Sequence, residues 1–313
     1  MKWKVVISAP YFQPVLSEYR QFFDTNDIEV IVPEVHERLS EEELLRCITD
    51  ADGIICGDDR ITERVLAAAP KLKVIAKWGT GIDSIDREAA ARRGIPVRNT
   101  PNAFTDAVAD TAFGYILNFS RQLSWMDDDV RAGQWQKRPL VALSESVLGI
   151  IGFGHIGQAV ARRARGFGVR VFATDIRPGL EEVAASMAVT MVPLDELLSL
   201  SDFISLHCDL NPTTHHLLND QTIARMKIGA VVINTARGPL IDETALIAAL
   251  GSGKVAGAAL DVFEHEPLPM DHLLRGFRNV LFAPHNSNAS PSAWKRVHEN
   301  TLKNLLDGFH RHG

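Results

Sequence analysis

The segment GFGHIG, Gly152 to Gly157, has the residue types and spacing to cradle a pyrophosphate. Gly152 permits a tight turn, Gly154 lets backbone approach the phosphates, and Gly157 lets a helix close on the preceding strand. The backbone amides and dipole of that helix then face the anion. G-x-G-x-x-G alone is a weak signal, equally consistent with a tight strand-helix turn. Here it follows the apolar strand Val147–Ile151. The next strand ends at Asp175, 18 positions beyond Gly157. An acid at that point hydrogen-bonds ribose hydroxyls and repels a 2′-phosphate, so the spacing points to NAD. Arg177, two residues on, could soften that repulsion. GSGK at Gly251–Lys254 is not a second phosphate loop, because Val255 replaces the needed Ser or Thr and a strand follows.

Three further segments each follow a predicted strand: INTARGPLIDE (Ile233 to Glu243), ALDVFEHEPLP (Ala259 to Pro269) and APHNSNASP (Ala283 to Pro291). In open α/β sheets that edge lines the ligand crevice. Hydride transfer to a 2-keto acid needs a cation for the carboxylate and a proton donor for the carbonyl oxygen. Arg237 offers a planar fork suited to a carboxylate. His285 offers proton transfer near neutral pH, and a carboxylate beside an imidazole favours its protonated form. Taken singly, each has an ordinary reading: a surface Arg, a structural His, a loop acid. Together, at one edge with a dinucleotide loop, they form a candidate site. Spacing leaves open whether Glu264 or Glu266 faces His285.

These residues need rigid elements to place them. Short apolar runs alternate with helical stretches: strands at 5–7, 27–32, 53–56, 72–76 and 97–99, with helices from Ser40 and over 62–69 and 82–93. Ser40 and Glu43 have capping-box spacing. A long helix is predicted over 103–121, then a helical and irregular stretch over 124–139. A second series has strands at 147–151, 169–174, 203–206, 230–234, 255–259 and 280–282, with helices over 156–166 and 243–250 and a last one over 290–309. That rhythm predicts α/β architecture: two Rossmann-like, doubly wound parallel-sheet domains. The second is expected to be inserted into a discontinuous first, with 1–102 and 290–313 flanking 103–289. The Asp127-Asp128-Asp129 run reads as a solvated face or helix N-terminus.

The 313 residues suit two domains. A net charge of −6 lacks the footprint of a general nucleic-acid binder. Cys47, Cys56 and Cys208 form no C-x-x-C pair, which argues against zinc ribbons and thioredoxin motifs and fits a reducing, cytoplasmic setting. No 18-residue apolar stretch is present, so neither membrane nor nucleic-acid partners are expected, and no metal.

The ordered set WGTGID, GFGHIG, INTARG, ALDVFEHEP and APH resembles the D-isomer-specific 2-hydroxyacid dehydrogenases across nearly the whole chain. The branch it looks most like is the 3-phosphoglycerate dehydrogenase group in its short form. The resemblance implies Arg237, Glu266 and His285 as the catalytic set. It implies cofactor contacts at Thr80, His155, Ile156, Asp175, Cys208, Ala236 and Asp261, beside the loop glycines. It also implies that the turn Trp78-Gly79-Thr80 holds a substrate carboxylate through backbone amides. The segment with Trp125 and Trp135 looks like the arm that dimerises in this family; a Trp pair buried inside the domain is the other reading. The pattern departs at Cys56-Gly57, Lys77, Trp78 and Asn286-Ser287-Asn288, positions that would shape the substrate pocket. Arg60 or Lys77 could then supply phosphate binding instead.

The expectation is therefore an NAD-dependent oxidoreductase moving hydride between nicotinamide and C2 of a 2-hydroxy or 2-keto acid, such as 3-phosphoglycerate. The alternatives are a glyoxylate or hydroxypyruvate reductase and, outside enzymes, an NAD(H)-sensing corepressor-like protein. The last is disfavoured by the lack of long polar tails.

Overall fold

A computed structural model describes residues 2–310 and divides the chain into two compact units, Met1–Phe104 with Ser290–Gly313, and Thr105–Ala289. The last three positions of the first unit, and Met1, lie outside the described residues.

In the first unit, β1 (Trp3–Ile7), β2 (Ile28–Ile31), β3 (Gly53–Cys56), β4 (Val74–Lys77) and β5 (Val97–Arg98) form one parallel sheet in the order β2-β1-β3-β4-β5. Helices α1 (Arg20–Thr25), α2 (Glu41–Cys47), α3 (Glu63–Ala67) and α4 (Arg87–Arg92) connect the strands. Ser40 and Glu43 do form a capping box on α2. The helix predicted over 82–93 is shorter, because Asp86 caps α4 by accepting the Ala89 N–H. The C-terminal helix, Pro291–Phe309, returns to this sheet. A Cβ on Gly308 would fall 2.3 Å from Val74, and one on Gly53 would fall 2.8 Å from Phe309, so helix and strands touch at glycines. Phe309 stacks on Trp3 at 4.5 Å.

The second unit opens with α5 (Thr105–Arg121) and α6 (Leu123–Arg131). Then come β6 (Val147–Ile151), α7 (His155–Gly166), β7 (Arg170–Thr174), α8 (Glu181–Ser186), β8 (Val189–Met191), α9 (Leu194–Leu200), β9 (Phe203–Leu206), α10 (Asp220–Arg225), β10 (Ala230–Asn234), α11 (Glu243–Ser252), β11 (Val255–Leu260) and β12 (Val280–Phe282). The strands are all parallel, in the order β12-β11-β10-β9-β6-β7-β8. Alternate residues feed two cores: Val231 and Ile233 of β10 join one, Ala230 and Val232 the other. Helices therefore cover both faces, as near-continuous apolar strands require. The strand order reverses between β6 and β9, the place where such folds bind ligands.

The three-residue strand β8 was not anticipated, since Val189-Thr190-Met191 is too short to show a period. Gly253 (φ +75°) caps the end of α11, so GSGK is a helix terminus. Asp127 and Asp129 lie on α6 and pair with Arg131 and Arg138 on a solvated face. Trp125 and Trp135 are not a buried pair. Trp125 leans on Phe119 and donates to the Arg278 carbonyl at 2.8 Å, whereas Trp135 is 88% exposed.

Candidate active site

The glycine loop joins β6 to α7. Gly152 takes φ +93°, and its N–H donates to the Thr174 carbonyl at 2.9 Å. A Cβ there would strike the Cys208 nitrogen at 2.5 Å, and one on Gly157 the Gly152 oxygen at 2.2 Å, so only glycine closes this turn. Gly154 is different. Apart from its own turn, only Arg177 Nη2 comes within 4 Å of where its Cβ would sit, at 3.7 Å. The loop is tight beneath and open above, which fits a pyrophosphate on backbone amides. His155 is exposed at the first turn of α7, with Ile156 half-buried beside it.

Asp175 follows β7. Its Oδ2 accepts the Phe153 N–H of the glycine loop at 2.8 Å and Arg177 Nη2 at 2.9 Å. Its Oδ1 accepts Arg177 N–H at 2.9 Å and Nε at 3.0 Å. Burial alone would raise this carboxyl; the bonds from Arg177 and Phe153 outweigh it and hold it below its usual value. Cys208, just after β9, is half-buried, and burial pushes its thiol up to about 11. It therefore stays protonated.

Arg237, Asp261 and His285 follow β10, β11 and β12, three adjacent parallel strands, at their C-terminal ends. Asn234 shapes the first turn: its Oδ1 accepts the Ala236 N–H at 3.0 Å and its Nδ2 donates to the Arg237 carbonyl at 2.8 Å. Gly238 then abuts the next loop, where a Cβ would lie 1.9 Å from the Phe263 carbonyl carbon. Asp261 is fully buried, and its two oxygens accept the N–H groups of Asn286 (2.7 Å) and Ser287 (2.9 Å). Its carbonyl accepts the His285 N–H at 2.8 Å, with His285 at φ +51°. Asp261, which the resemblance makes a cofactor contact, thus braces the histidine turn.

Glu266 Oε2 lies 3.0 Å from His285 Nδ1, and its Oε1 accepts the Phe263 N–H at 2.9 Å. Glu264 turns the other way, to His216 at 2.5 Å. The ambiguity left by spacing is resolved by geometry.

Behind this loop lies a pair that the sequence reading missed. Glu243, buried in the first turn of α11, accepts the Glu264 N–H at 2.9 Å through Oε1, and its Oε2 lies 3.1 Å from His272 Nε2. The available signal was an acid on the apolar stripe formed with Leu246 and Leu250.

In the first unit, Gly79 (φ +118°) and Thr80 form the turn after β4. Thr80 is exposed and donates its hydroxyl to the Thr100 carbonyl at 3.0 Å. One expectation fails here. Trp78 N–H is already donated to the Cys56 carbonyl at 2.9 Å, and its indole N–H to His298 Nδ1 at 2.9 Å, inside a cluster with Tyr11, Phe104 and Trp294. Neither donor is left for a substrate, because the large ring is drawn into the core. Lys77 is buried too, 3.0 Å from Asp58 and donating to the Trp78 carbonyl at 3.0 Å.

Residues 113–287 match the family described as "D-isomer specific 2-hydroxyacid dehydrogenase, NAD binding domain". The chain belongs to that family. The matched segment falls within the second unit and contains the glycine loop, Asp175, Arg237, Glu266 and His285. The cofactor is thus NAD and the chain an NAD-dependent oxidoreductase acting on small 2-hydroxy or 2-keto acids. It is 44% identical to a glyoxylate reductase of Thermofilum pendens over 276 residues, 85% of this chain and 81% of the relative. It is 41% identical to the human D-3-phosphoglycerate dehydrogenase over 276 residues, 87% of this chain but about half (51%) of that longer protein. Among solved structures it superposes on D-lactate dehydrogenase from Aquifex aeolicus, complexed with NAD and lactic acid, with a TM-score of 0.88 at 29% identity, covering 98% and 95% of the two chains. Among the described residues, no helix is long and apolar enough to cross a membrane, and no cluster of His, Cys, Asp or Glu could hold a metal ion.

Proposed function

We propose that this dehydrogenase reduces a small unphosphorylated 2-keto acid, glyoxylate or hydroxypyruvate, to the D-2-hydroxy acid. The observation that carries the reading is the His285–Glu266 pair on the strand edge it shares with Arg237 and the glycine loop. The residues fit the dinucleotide: Gly152, Gly154, His155, Ile156 and Gly157 would take the pyrophosphate, Asp175 the adenosine ribose, and Cys208 and Ala236 would line the wall. Bound NADH supplies the hydride that adds to C2.

The other work belongs to side chains of this chain. Arg237 clamps the substrate carboxylate through its fork and polarises the carbonyl. His285 passes a proton to the carbonyl oxygen through Nε2. Glu266 holds the ring by Nδ1 and stabilises the imidazolium.

Two observations favour an unphosphorylated acid. The relative at 44% identity is a glyoxylate reductase. Lys77, a cation that phosphate recognition could draw on, is already held by Asp58 and the Trp78 carbonyl. The phosphoglycerate reading draws on the 41% identity to the human enzyme. Kinetics with glyoxylate, hydroxypyruvate, pyruvate and phosphohydroxypyruvate under NADH separate the two. The proposal expects kcat/KM for an unphosphorylated acid to exceed that for the phosphorylated one about tenfold or more; the reverse order overturns it. No turnover with any of them would overturn the proposed substrate class.

The chain is further proposed to act as a cytoplasmic homodimer through residues 123–141, where Leu123, Val130, Trp135 and Val141 all face solvent.

A further inference from the structure

We infer that His216 is a positioning residue for the hydride-transfer step: it fastens the loop that carries Arg237 to the loop that carries Glu266, and so holds the carboxylate clamp and the proton-transfer pair in register. The inference rests on the reading of Arg237, Glu266 and His285 as the catalytic set.

His216 lies in the connection from β9 to α10. Its main chain is bound to the first loop. The His216 N–H donates to the carbonyl of Pro239, two residues after Arg237, at 2.8 Å. Leu218 N–H donates to the Leu240 carbonyl at 3.0 Å, and Asp242 N–H to the Leu218 carbonyl at 2.9 Å, so the two segments run parallel as a short ladder. Its side chain is bound to the second loop. Nε2 lies 2.5 Å from Oε1 of Glu264, two residues before Glu266. A carboxylate only accepts, so the ring donates through Nε2. Nδ1 lies 3.9 Å from Oδ2 of Asp242, the N-cap of α11, and His215 stacks on the ring with centroids 4.0 Å apart.

The backbone and the exposure of the pair both bear on what the ring does. His216 takes φ +50°, a conformation that glycine adopts freely and a side chain does not. The turn alone would be met by glycine; the ring is what histidine adds. Glu264 is gripped twice, its N–H by Glu243 Oε1 at 2.9 Å and its carboxylate by His216. The His216 side chain is 36% exposed and that of Glu264 25%. Charged pairs this wet add little to global stability, whereas a misplacement of about 1 Å at reacting groups is costly. Loss of the ring should therefore register in turnover rather than in melting.

The test is steady-state kinetics with NADH and a turned-over 2-keto acid, NADH binding by fluorescence and thermal melting, all on the full chain. His216→Gly keeps the turn and removes the ring. It should lower kcat about tenfold and raise KM for the keto acid, with NADH affinity within about twofold of wild type and the melting point nearly unchanged. His216→Gln keeps a donor and should recover most of kcat. Glu264→Ala should reproduce the loss, and the double variant His216→Gly/Glu264→Ala should be no worse than either alone, as for residues that act as a pair. With His285→Ala as the reference, a crippled reference beside a His216→Gly variant within about twofold of wild-type kcat overturns the inference. So do losses that multiply in the double variant, or a kcat that falls only in step with melting and NADH affinity. If His285→Ala itself turns over like the wild type, the catalytic reading falls and takes the inference with it.

Discussion

Glu266 joins His285 to the main chain, its Oε2 3.0 Å from the imidazole Nδ1 and its Oε1 accepting the Phe263 N–H at 2.9 Å. One carboxylate thus fixes the ring and is itself fixed by backbone. An imidazole so held presents its other nitrogen in a set direction, as a proton donor must. Glu266→Gln keeps an oxygen for the Phe263 N–H but removes the charge. It is expected to lower kcat about 10-fold to 100-fold, and His285→Ala about 10²–10⁴-fold. Cofactor affinity should change little in either. Stopped-flow turnover and NADH titration give the two quantities; an equal loss in both would mean the pair is structural.

Gly238 predicts a remote effect on the same carboxylate. A Cβ there would lie 1.9 Å from the Phe263 carbonyl carbon and 2.0 Å from its oxygen, both backbone atoms. The Phe263–Glu264 peptide must move, and the N–H of Phe263, one peptide earlier, anchors Glu266. Gly238→Ala is therefore expected to reduce kcat by about tenfold or more, since a shift of about 1 Å suffices for such losses. Circular dichroism should show a folded chain with a lowered melting point. Unchanged kcat would show that the loop absorbs the methyl group without moving Glu266.

Glu243 supports that loop from behind. Burial pushes its carboxyl up, against the opposing pull of the Glu264 N–H and His272. Glu243→Ala leaves the Glu264 N–H without its acceptor, at a cost of about 1–3 kcal/mol. Glu243→Gln keeps an acceptor oxygen and should lose clearly less. Chemical denaturation of both variants checks the order. Equal losses would locate the contribution in the contact with His272 rather than in the backbone acceptor.

Much of this site is legible in the sequence because main-chain geometry dictates it. Gly152 and Gly157 are required by contacts of 2.5 and 2.2 Å that no Cβ survives, and such demands leave fixed spacing behind. Strands such as Ala230–Asn234 read clearly because both faces are buried. The C-terminal helix rejoining the first sheet was an inference from order alone; Gly53 and Gly308 mark the contact but look like any other glycines in sequence. The direction of a side chain was harder still. Trp78 sits in a turn segment that the family resemblance associates with substrate, yet its indole is drawn towards His298. Glu264 and Glu266 differ by two positions and serve different histidines. Such choices depend on partners hundreds of residues or a whole loop away, which local pattern does not encode.

The Trp78–His298 contact also predicts how stability depends on pH. His298 Nδ1 accepts the indole N–H, so the ring must be unprotonated there. Burial lowers its proton affinity, outweighing the opposite pull of Glu18 and Glu299. His207, its Nδ1 shut away without a partner, is lowered by burial to about 3. The folded values lie below the ordinary 6.5, so as pH falls past 6.5 the unfolded chain takes up protons that the folded chain refuses. Stability is present above that point and is lost on acidification towards the folded values, by up to about 1.4 kcal/mol per pH unit for each ring. Melting points between pH 7.5 and 5.5 should fall in the wild type and fall less in His298→Gln. Parallel curves would show that His298 titrates alike in both states.

Trp135 tests the proposed assembly. It is 88% exposed, while Trp125, on α6, is anchored to the Arg278 carbonyl and Phe119. Leu123, Val130 and Val141 in the same stretch are also exposed, whereas Ile228 has no exposed large apolar residue near it in the chain. Isolated apolar residues are common on protein surfaces; four within one short stretch suit a partner, and aromatic rings contribute heavily to such contacts. Trp135→Glu would place a charge at the centre of that contact, where desolvating it costs several kcal/mol. Sedimentation velocity should show the wild type as a dimer and the variant as a monomer at micromolar concentration, with an unchanged melting transition for the isolated fold. A wild-type monomer, or a variant dimer of undiminished affinity, would remove residues 123–141 from the interface.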